Sequence, residues 1–336
     1  MTHFLQSDYN TSNKWSVLAG LRFFLAFIVV ASHLTAYLPG HNTLVFSQIA
    51  KLGGNTAVIG FLLISGYSIA NSLTRKSKNF YKRRFFRIYP LYSCSIFFSL
   101  LPFLFLGKEV QLLHEKLVFP GWAAIIGNLF FLQDFTVFPI LANPVLWSLS
   151  VEVLCYALAP YFIKKSVRFL IFLIVVSACL YVVFPHLYRV LSHSTSFPHY
   201  AHFIYGVDFY LFLWAWLLGF LYFVVGEDKR IKVVVILLGC ILLILNKNFG
   251  GRLDVITYIF ASLTLMYAPY IKISKSVMSS LNYLGDISYP LYLFHLPTFN
   301  FLIAVLGINN PLVLVVSSLA TSAFFYHTID VSVRKK

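Results

Sequence analysis

The stretch Leu18-Ala-Gly-Leu-Arg22-Phe-Phe-Leu-Ala-Phe-Ile-Val-Val-Ala-Ser-His33-Leu-Thr35 is apolar enough to cross a bilayer as a helix, yet it carries an arginine and a histidine. An ionisable side chain inside a span is costly and marks a functional site by default. Eleven residues at about 100° each make three turns plus about 20°, so Arg22 and His33 share one helix face. At about 1.5 Å per residue they stand roughly 16 Å apart along the axis. That face presents a cation near one membrane surface and an imidazole near the other. An extended substrate with an anionic head could lie along it, its reactive end at the histidine.

The rest of the chain agrees with a membrane setting. Of 336 residues, 59% are hydrophobic and 11% are charged. Soluble domains carry about a quarter charged residues. Apolar runs of about 17–22 residues recur, the length that spans a bilayer as a helix. The short alternating segments of a β-barrel are absent. The expectation is an all-α integral membrane protein, a polytopic bundle of about ten transmembrane helices. We place them near 16–37, 56–73, 88–106, 147–163, 168–185, 207–225, 231–246, 253–269, 285–306 and 311–329. Segment 119–133 is short for a span. If it crossed, every later basic loop would change sides, so it is read as one short interfacial or re-entrant helix. Residues 1–15 form a polar cytoplasmic tail, 16–330 one membrane domain and 331–336 a basic tail. The first apolar run is too long for a cleaved signal and lacks a small-residue cleavage site, so it stays as a span.

The net charge of +15 raises the question of nucleic acid, but its distribution points elsewhere. With the N-terminus inside, 19 of the 26 Lys and Arg residues fall on the cytoplasmic side. That bias is the positive-inside rule; it puts both termini in the cytoplasm and implies anionic membrane lipid, not nucleic acid, as the partner. The four cysteines are scattered through apolar runs and read as packing residues. The outer histidines His186, His193, His199 and His202 match no zinc spacing, so no metal is expected.

Three further segments carry polar chemistry. In Arg75-Lys-Ser-Lys-Asn-Phe-Tyr-Lys-Arg-Arg84-Phe-Phe-Arg87, the last two arginines lie three apart and face one way on a helix. Arginine forks suit phosphate oxygens, although such clusters also serve simply to orient a membrane protein. In Trp147-Ser-Leu-Ser150-Val-Glu152, a span beginning at Trp147 puts the carboxylate about 7–8 Å below the outer surface. His33 stands at a similar depth, so Glu152 either contacts His33 and raises its basicity, or is a structural carboxylate bonded to serine or tyrosine. In Ser288-Tyr289-Pro290-Leu-Tyr292-Leu-Phe-His295-Leu-Pro297, the prolines free backbone carbonyls, and His295 either lines a polar cavity or makes a hydrogen bond between helices. Gly60-Phe-Leu-Leu-Ile-Ser65-Gly66 reads as a close-packing face.

Together these segments resemble the membrane-bound acyltransferase family 3, the bacterial sugar O-acyltransferases. The matching pieces are Leu21-Arg22 with His33, Phe61 to Tyr67, Arg84-Phe-Phe-Arg87, Trp147 to Glu152 and Ser288 to His295, in family order over residues 15–330. The chain looks like the stand-alone form, without a fused esterase-like domain. The resemblance implies that Arg22 and His33 match the family's essential Arg/His pair and that Arg84 and Arg87 match its cytoplasmic Arg-x-x-Arg. It also places Glu152 at the end of a conserved serine-to-glutamate motif. It implies transfer of an acyl group, acetyl above all, from cytoplasmic acetyl-CoA or another acyl-CoA to a hydroxyl of an envelope glycan such as lipopolysaccharide O-antigen, at the bacterial inner membrane. Catalysis is then expected at His33 and Glu152, and donor binding at Arg22, Arg84 and Arg87. Trp147, Ser150, Tyr289 and His295 are candidates for lining the substrate site. The competing reading is a multi-pass transporter or a flippase of a lipid-linked glycan; against it, the sequence shows no repeated halves.

Overall fold

A computed structural model describes residues 2–39, 43–193, 202–226, 228–246 and 253–334. Thus His199 of the outer histidines, Lys247, Arg252 and the last two basic residues lie outside the described part. The chain is a bundle of helices: α1 (Thr2–Tyr37), α2 (Leu44–Ala50), α3 (Gly54–Arg75), α4 (Phe80–Ser99), α5 (Leu101–Leu106), α6 (Gly121–Leu129), α7 (Trp147–Phe162), α8 (Val167–Ser192), α9 (Val207–Val225), α10 (Lys229–Leu245), α11 (Asp254–Tyr267), α12 (Lys275–Ala304), α13 (Pro311–Phe325) and α14 (Val331–Arg334). One small hairpin of two strands, Glu109–Gln111 and Lys116–Val118, interrupts it. Among the described residues, seven helical stretches are long and apolar enough to cross a membrane. The other three expected spans are also helices: α10 with 17 residues, α11 with 14, and the 30-residue α12 with its two internal prolines. Helix α1 continues without a break through the polar stretch expected as a tail.

Helix α6 has nine residues, about 14 Å, too short to cross. Trp122 and Ile126 stay exposed on it, as does Phe130 just after it, while Asn128 is buried and accepts the Tyr92 hydroxyl on its carbonyl at 2.6 Å. It is the short non-spanning helix the sequence led us to expect.

The centre of the bundle is built on glycine contacts. A methyl group at Gly66 of α3 would overlap the carbonyl oxygen of Trp216 on α9, and one at Gly219 of α9 would overlap that of Leu63 on α3. The two helices therefore meet backbone to backbone, as small residues permit in a membrane. Gly285 does the same for α12, bringing it against Ala19 of α1.

The chain between α6 and α7 is irregular and folds into the bundle. Non-helical backbone survives at such depth only if protein groups satisfy it. The Asn128 side chain donates to the Phe138 carbonyl at 2.9 Å, and the Gln133 amide donates to that of Leu146 at 2.9 Å. Asn300 donates to Ala142 at 2.8 Å. Pro297 has no N–H for the Leu293 carbonyl one turn earlier on α12, and the buried Asn143 side chain donates to that oxygen at 3.0 Å. Helix α7 therefore starts inside the bundle, against the middle of α12.

Asp134, in this same segment and outside the spans, is fully buried. It faces the equally buried Asp208 and lies beside the amides of Asp208 and Phe209 at the start of α9, without closing a well-formed hydrogen bond. Burial pushes its carboxyl up to about 7. The folded chain thus holds this proton more tightly than the unfolded chain, in which an aspartate titrates near 4. The associated stability is complete below pH ~4 and is lost as pH rises through about 7. The melting temperature in detergent is expected to fall between pH 5 and pH 8, and Asp134→Asn to flatten that slope; an unchanged slope in the variant would contradict this.

Candidate active site

A cavity of about 490 Å³ reaches from the Lys/Arg-rich end of α3 and α4 into the bundle. That volume suits a small-molecule site. Six cations line it (Arg22, Arg75, Lys76, Arg83, Arg84 and Arg87) against two carboxylates, Glu152 and Asp286, so the cavity favours an anionic guest. Arg22 makes no hydrogen bond among the described residues, and Arg84, Arg87, Glu152 and Tyr156 are within its electrostatic reach. Arg84 donates to the Ser72 hydroxyl at 2.8 Å, and its guanidinium lies 5.9 Å from the Tyr156 ring centroid. The Arg84 Nε is buried with no partner among the described residues. Unspent donors on a planar fork are what a phosphate needs.

Glu152 sits in this cavity. Its Oε1 accepts from the Ser65 hydroxyl at 2.8 Å and from the Tyr156 hydroxyl at 2.5 Å. The expected contact with His33 is not made. The depth match assumed that α7 begins at the surface; since it begins inside, five more residues carry Glu152 down to the level of Arg22. The serine-and-tyrosine alternative holds. Tyr156 could have been found from sequence, because it stands four residues after Glu152 on the same helix face. Ser65 is 87 residues away and carries no such signal.

His33 meets His295 instead. The His33 Nδ1 and the His295 Nε2 are 3.0 Å apart, and the ring centroids 5.1 Å. The His295 Nδ1 lies 3.1 Å from the Leu291 carbonyl oxygen. A carbonyl only accepts, so the His295 Nδ1 carries the proton and, in the neutral ring, Nε2 is an acceptor. The proton between the rings then belongs to the His33 Nδ1, which leaves the lone pair of neutral His33 on Nε2. His295 is fully buried and His33 half-buried.

Of the remaining candidates, Tyr289 lines the cavity and donates to the Ile88 carbonyl at 3.1 Å. Trp147 and Ser150 do not line it. Trp147 packs 5.1 Å from Phe212, and the Ser150 hydroxyl turns back to the Trp147 carbonyl at 2.6 Å. The first turn of α7 is buried among helices because of its deep start, so these two residues support packing there.

A family model described as an acyltransferase domain matches residues 16–327. The chain belongs to the acyltransferase 3 family. No curated protein and no solved structure matches it. Membership makes this a membrane O-acyltransferase. Acyl transfer needs a group that handles a proton at the reacting hydroxyl, and a histidine with one fixed tautomer answers that need. In protein carrying 15N-labelled imidazoles, neutral His33 is expected to show a protonated Nδ1 and a bare Nε2, and His295→Phe to abolish that preference. A dominant Nε2–H form in the unmodified protein would contradict the assignment.

Proposed function

We propose that this acyltransferase moves an acetyl group from acetyl-CoA in the cytoplasm to a hydroxyl of an envelope glycan, such as lipopolysaccharide O-antigen, at the outer side of the bacterial inner membrane. One observation carries the reading: helix α1 holds Arg22 in the cation-lined cavity and His33 in the histidine pair, about 16 Å apart along its axis. Acyl-CoA is an extended molecule with phosphates at one end and a thioester at the other, and that layout fits it. The Lys/Arg bias of the loops supports the cytoplasmic placement of the cavity mouth.

In this reading Arg84, Arg87 and Arg22 hold the donor's phosphates. Glu152 keeps the arginines from simple mutual repulsion and holds Ser65 and Tyr156 in place; it is a positioning residue. The His33 Nε2 takes the proton of the acceptor hydroxyl as that oxygen bonds to the acyl carbon. The carbon–sulfur bond breaks, and His33 returns the proton to the departing thiolate. His295 accepts the His33 Nδ1–H throughout and stabilises the ring while it is charged.

The test compares surface glycan, by mass spectrometry of released sugars, from cells with the wild-type protein, with equal amounts of His33→Ala, and with the gene deleted. Loss of one acetyl group per repeat in both altered strains is expected. An unchanged glycan in the deletion strain would overturn the acceptor assignment, and full acetylation by His33→Ala would overturn the role of His33.

A further inference from the structure

The cavity stops short of the histidines. Val58, Phe61, Ser148 and Tyr292 line its inner end, whereas His33 and His295 do not line it. Tyr292 stands three residues before His295 on α12, about 4.5 Å along the axis, with ring centroids 6.4 Å apart. Its hydroxyl lies 2.7 Å from the Ser148 hydroxyl on α7 and donates to the Val145 carbonyl at 3.3 Å. Phe61 of α3 meets its ring edge-on at 5.9 Å. Side chains from three helices thus close the space between the cationic cavity and the histidine pair.

We propose that Phe61, Tyr292 and Ser148 form a size-selective closure that decides which acyl groups reach His33. The inference rests on the donor binding in the cavity as described above. A donor held there by its phosphates can deliver its thioester to His33 only past these rings. The closure is held by neutral hydrogen bonds, individually weak in net terms, and by one aromatic contact, so a turn of the Tyr292 side chain opens it. How wide it opens depends on what stays behind. Phe61 is half-buried and makes no polar contact of its own, so its bulk limits the aperture. A two-carbon acyl group passes beside it, whereas each further methylene must displace apolar side chains packed around the gap. Rejection of a methylene by an apolar pocket is worth about 10–200-fold. The hydroxyl pair of Tyr292 and Ser148 adds a latch that Phe61 lacks. Steric size and latch strength are therefore carried by different residues and are separable by mutation.

The experiment measures free-thiol release from acetyl-, propionyl- and butyryl-CoA by purified protein in detergent, with glycerol and water as acceptor hydroxyls. The readout is the ratio of kcat/KM for butyryl- to that for acetyl-CoA. Phe61→Ala is expected to raise this ratio at least tenfold. Tyr292→Phe, which keeps the ring and loses only the hydroxyl, is expected to leave it within about threefold of wild type. Phe61→Leu gives the same reading, with a smaller rise, where Phe61→Ala is not recovered folded. Equal ratios in wild type and both Phe61 variants, each turning over acetyl-CoA, would overturn the closure while leaving the acyl-CoA reading intact. No thiol release from any acyl-CoA by folded wild-type protein would instead overturn the donor assignment on which the closure rests.

Discussion

Inside a bilayer a polar group has no water to fall back on, so each one must find its partner within the bundle. The hydrogen bond between His33 and His295 is where that constraint decides most. Leu291 offers a carbonyl, which fixes the His295 proton, and His295 in turn fixes that of His33. The chain of assignments needs α1 and α12 in register and close together. Gly285 against Ala19 provides the closeness at one end, and the histidines themselves mark the other. Helix α1 can then carry an arginine in a cavity and a histidine in a dyad at the same time, because α12 lies along it past both.

A second consequence of the same rule is the position of Glu152. A proline in α12 leaves the Leu293 carbonyl without its helical partner, and Asn143 supplies one. That bond draws the chain before α7 into the bundle and sets the depth from which α7 starts. Glu152 is thereby placed among the arginines, where its charge offsets part of theirs, and not beside the imidazole. The cavity keeps a large positive excess, and the histidine pair keeps a neutral, hydrogen-bonded environment. The histidine pair is thereby kept apart from the Glu152 carboxylate, and the arginine-lined end of the bundle stays strongly cationic.

Much of this was legible in the sequence, and the parts that were not share one cause. Apolar length and basic loops gave the helices, including the short α6, because span length and charge bias are one-dimensional properties of the chain. Arg22 and His33 were placed on one face by helix periodicity alone. Arg84 and Arg87 were found by their spacing, and both line the cavity. The partner of His33 was missed because it depends on which helix lies beside α1 and on the depth at which α7 begins. The sign of that depth was present in Gln133, Asp134 and Asn143, three polar residues that end up fully buried in a segment that is elsewhere partly exposed. Trp147 and Ser150 lie outside the cavity for the same reason: a helix that starts inside the bundle buries its first turn in packing.

In the proposed mechanism one helix joins a phosphate-binding cavity to a histidine pair across a narrow closure. A structure of the purified protein with a non-hydrolysable acetyl-CoA analogue tests it most directly. The phosphates are expected against Arg84, Arg87 and Arg22, the pantetheine arm along α1, and the sulfur position past Tyr292 and next to the His33 Nε2. An analogue bound at the opposite face, or one whose acyl end stays beside Glu152 with His33 out of reach, would contradict it.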